Sequence, residues 1–325
     1  MVCNGLFYYV QAGMNRRMNM ETINWYPGHM KKTRDLILTN MGMVDASIEV
    51  IDARIPVSSR NPVINELVKG KPRIIVLNKS DLSDEDQNQL WKEKLSADGT
   101  YTVVMNCTSG SVKPLLKTLE RVQRDVAEAK KKRQEEAAQT GKETEKAPGA
   151  EKHRDAAAAV KRQKPLRVMI VGIPNVGKSS LINRLTNRKS ARTGNKPGVT
   201  RGKQWLTLKN GMQLLDTPGI LWPKLEDPET GLSLAFCGSI KDEILDIADL
   251  GLEFIKYMQN EYPQLLCERY RLEQTEETPL ATMEEICRKR GFIMPGKRID
   301  YDRCARTVLD EFRAGKIGRI TLEKA

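Results

Sequence analysis

Two rhythms of apolar residues divide the chain. Short β-branched runs come first: Ser47–Ile51 (SIEVI), Arg73–Leu77 (RIIVL), Thr102–Met105 and Leu166–Val171. They alternate with stretches whose apolar residues recur at helical spacing, so the pattern predicts strands separated by helices. RIIVL is apolar almost throughout, as expected of a strand covered on both faces of a parallel sheet. One predicted helix carries Leu36, Ile37 and Met41 behind the basic face Lys31, Lys32 and Arg34. Others are Val63–Val68, stopped at Gly70, then Glu85–Leu95, then Val112–Val126 with Leu115, Leu116, Leu119 and Val122 on one face, then Leu181–Leu185. Gln204–Leu208 and Met212–Leu215 predict a strand pair turning at Asn210–Gly211. From Leu232 the strand rhythm ceases. Leu234, Ala235 and Ile240 fall on one predicted helix, with Ile244–Tyr257, Ala281–Arg290 and Tyr301–Phe312 on three more.

Strands and helices in alternation imply a doubly wound α/β sheet, followed here by a small all-helical unit. The predicted organisation is a disordered tail over 1–20, an α/β domain over 21–224, and a helical, basic domain over 225–325. Within the α/β domain, about 127–164 is dominated by Lys, Glu, Gln and Ala and cannot build a core. It reads as a helical extension fading into a flexible charged linker. The first residues, MVCNGLFYYVQAGMNRRMNM, are mildly apolar and then basic. A signal peptide places its basic residues first and a transit peptide is richer in Arg and Ser, so the expectation is a tail, or a start at Met18 or Met20.

Composition narrows the partners. The chain has 325 residues, 39% hydrophobic and 5% aromatic, with a net charge of +12. Such a surplus favours a polyanion, and no apolar run approaches the roughly 20 residues of a membrane span. The helical half is studded with Arg269, Arg271, Arg288, Lys289, Arg290, Lys297, Arg298, Arg303, Arg306, Arg313, Lys316 and Arg319. None of the six cysteines forms a C-x-x-C pair, which argues against a zinc or redox site and for reduced thiols in a cytoplasmic protein.

The chemistry lies in the loops after the strands. Gly172 to Ser180 reads GIPNVGKSS, with Gly172, Gly177, Lys178 and Ser179 at P-loop spacing between a strand and a helix. Backbone N–H groups of Asn175, Val176, Gly177, Lys178, Ser179 and Ser180 are placed to cradle phosphates, helped by the helix dipole. Lys178 should reach the β- and γ-phosphates, and the Ser179 hydroxyl should ligate Mg²⁺. After another strand stands Asn78-Lys79-Ser80-Asp81. Its Asp81 carboxylate can accept the N1–H and 2-amino protons of guanine together, which adenine cannot offer, so discrimination of about 10⁴ is expected. The Lys79 stem can lie over the base, and Asn78 can brace the neighbouring loop. A backbone N–H near Thr108, in Asn106–Gly110, is placed for the guanine O6. Asp216-Thr217-Pro218-Gly219 closes the last strand: Asp216 should hold a Mg²⁺ water and the Gly219 N–H should sense the γ-phosphate. Thr200, after Gly198, should close over Mg²⁺ when that phosphate is present, giving an order–disorder switch. Ile220 follows Gly219, where many GTPases place a Gln that orients the attacking water.

The order of these loops is unusual. Base-reading loop, P-loop, Thr200 and D-x-x-G follow one another, whereas ordinary GTPases begin with the P-loop. The chain therefore resembles a circularly permuted GTPase. NWYPGHMKKTR, DARIP, SSRNP, LLDTPGILWPK and the closing KIGRITLE are similar to the RbgA/YlqF family of large ribosomal subunit (50S) assembly GTPases, from about Asn24 to the end. That resemblance implies GTP hydrolysis stimulated by the large-subunit precursor, rRNA contact by the C-terminal domain, and His29 assisting hydrolysis in place of the missing Gln. It also makes Asn175 a candidate K⁺ ligand. The expected protein is a monomeric cytoplasmic GTPase using GTP and Mg²⁺, with no membrane role. Two alternatives remain: a GTP-licensed rRNA-binding switch with negligible hydrolysis, which Ile220 permits, and a permuted GTPase of the small-subunit branch. The latter is disfavoured by the lack of zinc-ligand spacing or a β-rich N-terminal domain.

Overall fold

The computed structural model describes residues 28–96, 100–139, 164–186, 204–221, 227–242 and 245–325. The predicted tail, most of the charged linker and Thr200 lie outside these residues, as does the predicted domain boundary at 224/225. Strands β1 (Ala46–Asp52), β2 (Arg73–Asn78), β3 (Thr100–Val104), β4 (Arg167–Val171), β5 (Gln204–Thr207) and β6 (Gln213–Asp216) form one sheet in the order β3-β2-β1-β4-β6-β5. Every pair is parallel except β5 with β6, the predicted pair. Register sets Asp52 beside Asn78 and Ile170 beside Asp216, so the chemistry-bearing strand ends share one edge.

Helices α1 (Gly28–Met41), α2 (Pro62–Leu67), α3 (Glu85–Leu95), α4 (Lys113–Gln139) and α5 (Lys178–Thr186) cover the sheet. Side chains alternate faces along each strand. Ile48, Val50, Ile74, Val76, Val168 and Ile170 meet Leu115, Leu119 and Val122 of α4 and Leu181 and Ile182 of α5. On the opposite face Met169, Val171 and Leu215 pack with Ile37 of α1, Ile64 of α2, and Ile220. Ile51, Ile75 and Leu77 pack with Trp91 and Leu95 of α3. Helix α4 continues to Gln139, well into the stretch expected to fade. Its Lys, Glu and Ala residues are strong helix formers, and Lys131 pairs with Glu135 one turn on.

The C-terminal half comprises α6 (Pro228–Phe236), α7 (Ile247–Glu261), α8 (Pro263–Tyr270), α9 (Pro279–Arg290), the hairpin β7 (Ile293–Met294) and β8 (Arg298–Ile299), and α10 (Tyr301–Arg313). Asp227, Asp246, Thr278 and Asp300 cap their helices through side-chain oxygens, which fixes where each begins. Ile240, expected on the helix with Leu234, lies beyond it, because the chain turns at Gly238 with φ 72°. Helix α7 crosses α10 at close range: a Cβ on Gly251 would lie 2.4 Å from the Ala305 Cβ. The helical half shares one apolar cluster with the sheet, running from Ile48 and Ile170 through Leu234 to Phe254 and Phe312. Beyond α10 the chain returns to the α/β half, and Ile320 and Thr321 are fully buried there.

Candidate functional site

The P-loop takes its shape from residues that accept unusual backbone angles. Gly172 leaves β4 at φ 146°, Asn175 sits at 61° and Gly177 at 100°. Gly177 is required twice over: a Cβ there would be strained and would lie 2.1 Å from Asn78 Nδ2. Helix α5 begins at Lys178, presenting its N-terminus to the loop. Lys178 Nζ donates to the carbonyls of Ile173 at 2.7 Å and Gly172 at 3.1 Å. Burial lowers its ammonium to about 8, against the opposing pull of Asp216.

Asp216 ends β6 beside it. Burial raises its carboxyl to about 6, and Lys178 offsets only part of the shift. Its Oδ1 is buried without a hydrogen-bond partner among the described residues. Such an oxygen needs a donor, and the water of a hydrated cation is one that fits. Ser179, half-buried in the first turn of α5, stands on the neighbouring strand's loop. The donor set of one hydroxyl and one carboxylate therefore suits a divalent ion that keeps several waters. Next to Asp216, Thr217 Oγ1 donates to the Ile170 carbonyl at 2.6 Å and locks the D-x-x-G loop to β4.

The base-reading loop is tied to the P-loop by Asn78. Its Nδ2 donates to the Val176 carbonyl at 2.6 Å, and its Oδ1 accepts the Cys107 N–H at 2.8 Å. One buried amide thus joins three strand-end loops. Asp81 is exposed, open to a ligand. The Thr108 N–H donates to Asn106 Oδ1 at 2.7 Å and closes a turn. Asn175 is held as well: its Nδ2 donates to the Gly238 carbonyl at 2.6 Å, linking the P-loop to the end of α6.

Sequence reasoning gave no role to the DARIP segment, yet it underlies the base-reading loop. Asp52 and Arg54 are buried and make a bidentate pair, with Arg54 Nε and Nη2 donating at 3.0 and 2.8 Å. Lys79, at φ 62°, reaches the same carboxylate at 2.8 Å. Burial disfavours the charged Asp52, but Arg54 and Lys79 outweigh it and hold the carboxyl well below the usual range. The Arg54 guanidinium lies 4.8 Å from the centroid of Phe312 in α10. The detectable signal was an Asp and an Arg two apart at the end of an apolar strand. Asp52→Ala would leave Arg54 buried without its counter-charge. It is expected to destabilise the fold by about 3–5 kcal/mol. Calorimetry should show a melting temperature lower by on the order of 10 °C.

Ile220 is 1% exposed and packs against Ile37 of α1, Ile64 and Val68. Its carbonyl accepts from Asn61 Nδ2 at 2.9 Å, so the residue after Gly219 is turned into the core. His29 stands in the first turn of α1, and its side chain lies outside the described residues. The basic roster of the helical half divides. Arg269 and Arg290 pair with Glu311, Arg313 with Asp242, Arg288 with Glu284 and Glu285, and Lys289 with Glu285. Arg271, Lys297, Arg298, Arg306 and Lys316 are exposed, with no acidic partner within ion-pair distance among the described residues.

A P-loop on a mostly parallel sheet, with a base-reading loop that precedes it in the chain and meets it in space through Asn78, defines a circularly permuted P-loop GTPase. Residues 167–284 match the family described as 50S ribosome-binding GTPase, and that match begins at the first residue of β4, downstream of the base-reading loop. The chain is 40% identical over 302 residues to Ribosome biogenesis GTPase A of Priestia megaterium, covering 93% of this chain and 96% of that protein. It is 31% identical to Mitochondrial ribosome-associated GTPase 1 of Bos taurus, covering 94% of this chain and 89% of the relative. Two YlqF structures, one GDP-bound and one GNP-bound from T. maritima, share the fold with TM-scores of 0.60 and 0.59 at 24% identity, over 90% of this chain and 98% of each. The chain belongs to the ribosome biogenesis GTPase A family, and it binds and hydrolyses GTP.

Proposed function

We propose that the protein is a GTP-driven assembly factor for the large ribosomal subunit, whose hydrolysis is stimulated by the precursor of that subunit. The observation that carries this reading is the burial of Ile220. The position that supplies a water-orienting side chain in many GTPases is committed to the core, so the resting site lacks that group and a partner-induced arrangement must complete it. Ile220 packs against Ile37, on the helix whose first turn holds His29. Eight residues of helix place His29 about 12 Å along its axis from that contact. A shift of α1 on the ribosome would move His29 with it, and His29 is assigned the positioning of the attacking water.

Asp216 and Ser179 would hold Mg²⁺ with Thr200, and the ion would neutralise charge on the β- and γ-phosphates. The remaining work falls to the protein: Lys178 and the loop N–H groups bind and orient the phosphates, and the Gly219 N–H senses the γ-phosphate. Asn78, Lys79 and Asp81 take the base, with the Thr108 N–H released from Asn106 to meet O6. Asn175 is assigned a K⁺ ligand. The exposed Arg271, Lys297, Arg298, Arg306 and Lys316 are assigned to rRNA phosphates. The printed names of the relatives and the +12 net charge support a ribosomal partner, and the bacterial relatives support the cytoplasm.

The test is GTP turnover with and without purified large subunits, for wild type and His29→Ala. Large subunits should accelerate the wild type, and His29→Ala should lower the stimulated rate by about 10²-fold at unchanged GDP affinity. Turnover that ignores large subunits, alongside GTP-dependent co-sedimentation with them, would favour the alternative that Ile220 also permits: a binding switch with negligible hydrolysis.

A further inference from the structure

The last eleven residues fold back onto the α/β half. Arg319 lays its guanidinium on the base-reading loop: Nε donates to the Ser83 carbonyl at 2.8 Å, Nη2 to the Ser80 carbonyl at 3.0 Å, and Nη1 to the Glu85 carboxylate at 2.9 Å. The next residue, Ile320, donates its N–H to the Leu82 carbonyl at 2.9 Å. The Thr321 hydroxyl accepts the Asp84 N–H at 3.0 Å. Leu82 is seated against Gly315, where an added Cβ would lie 2.6 Å from its Cδ2. The carbonyls on both sides of Asp81 are thus held by a segment more than two hundred positions away.

The tail is itself fixed. Leu322 N–H donates to the Arg54 carbonyl at 2.8 Å, and Trp91 Nε1–H donates to the Glu323 carbonyl at 2.8 Å. Glu323 Oε1 accepts the Ser58 N–H at 3.0 Å, and Tyr262 of the helical half donates to the Thr321 carbonyl at 2.9 Å. A planar guanidinium that spans two carbonyls three residues apart fixes a backbone direction, which a flexible ammonium cannot do. Asp81 contributes no bond to this scaffold, so its exposed carboxylate points where the backbone of Ser80 and Leu82 sends it.

We propose that the C-terminal segment Gly315–Leu322 is part of the guanine-recognition machinery, and that Arg319 is a specificity-determining positioning residue acting through Asp81. This rests on the reading that Asp81 accepts the guanine N1–H and 2-amino protons. Holding the loop in its bound shape removes an ordering cost that would otherwise reduce affinity, and the saving applies to the base alone. Phosphate binding, on the other side of Asn78, does not depend on it.

The experiment compares GDP with IDP, which lacks the 2-amino group, in wild type, Arg319→Ala, Arg319→Lys, Thr321→Val, Asp81→Ala and the double variant Arg319→Ala/Asp81→Ala, with melting temperatures for each. Arg319→Ala should weaken GDP by about 10-fold and IDP distinctly less, so that the preference for GDP over IDP shrinks. Arg319→Lys should not restore it, and Arg319→Ala should add nothing once Asp81 is alanine. Equal weakening of GDP and IDP, or an unchanged preference in a folded Arg319→Ala, overturns the proposal. Should Arg319→Ala fail to fold, Arg319→Lys and Thr321→Val carry the same comparison, and an unchanged preference in both overturns it. If Asp81→Ala itself leaves the GDP-to-IDP preference intact, the base-reading assignment falls with it. If Asp81→Ala collapses the preference and the tail variants do not, only the tail proposal fails.

Discussion

Lys178→Met is expected to lower the rate of GTP hydrolysis by about 10³-fold or more. The melting temperature of the nucleotide-free protein should change little. The first half follows from what the ammonium does in phosphoryl transfer, where most of the acceleration is placement of positive charge around the β- and γ-phosphates. The second follows from the cost of burying that charge. Burial brings the Lys178 ammonium from 10.5 to about 8, which is about 3 kcal/mol of unfavourable burial. Methionine relieves that cost. It also removes the charged donor to the Ile173 and Gly172 carbonyls, each such bond being worth about 1.5 kcal/mol. The two changes roughly cancel. Lys178→Arg should not rescue activity: Gly219 approaches the P-loop so closely that even a Cβ there would sit 2.9 Å from Lys178 Nζ and 2.7 Å from the Pro174 nitrogen, and a bulkier guanidinium would have to displace that loop. Single-turnover phosphate release and calorimetry check both halves. A variant that hydrolyses within ten-fold of wild type would remove Lys178 from the mechanism.

Local features of the protein were legible in the sequence, and contacts closed over long separations were not. The strands of the sheet read within two residues at either end, because β-branched runs covered on both faces leave few other readings. Helix α3 was legible to the residue, since Asp84 caps it and its accepted N–H is that of Gln87. Helix α8, eight residues long, has no counterpart among the predicted helices, although Pro263 stands where proline fits, in the first turn of a helix. The β7–β8 hairpin has two residues per strand, too few for alternation to register. The same division runs through the site. Gly177, Lys178, Asn78 and Asp81 stand in motifs whose spacing is set by one turn of backbone, so a single strand and its loop reveal them. The pairing of Arg319 with the Ser80 carbonyl spans 239 positions, and that of Glu323 with Val57 spans 266. No periodicity encodes a partner at that distance. The Asp52–Lys79 pair is shorter in sequence, yet it exists only because parallel β1 and β2 are in register at Asp52 and Asn78. The consequence is functional. The permutation brings both chain ends of the described fold to strand-end loops of the site, α1 to the D-x-x-G loop through Ile220 and the tail to the base-reading loop through Arg319.

Asp81→Asn is expected to weaken GTP binding by about 10³-fold and to turn the base preference towards xanthine nucleotides. Guanine offers two donors on one edge, N1–H and the 2-amino group, and a carboxylate accepts both. Hydrogen bonds to a charged partner are worth about 1.5–3 kcal/mol each. Asparagine keeps one acceptor for N1–H, but its amide protons now face the 2-amino protons, so one bond is lost and a donor–donor clash replaces it. Xanthine carries a carbonyl at that carbon and accepts the amide proton instead. The fold should tolerate the change, because Asp81 is exposed and the loop is held by others. Asn78 spans the Val176 carbonyl and the Cys107 N–H, Lys79 is anchored on Asp52, and Arg319 grips the carbonyls of Ser80 and Ser83. Competition of GTP, XTP and ATP against a fluorescent GDP analogue reads the outcome, with the melting temperature as control. ATP should remain excluded by both proteins, since adenine has neither the N1 proton nor a group at C2. Undiminished GTP affinity with XTP still rejected would mean that the guanine edge is read elsewhere, and the exposed carboxylate after Lys79-Ser80 would lose its role.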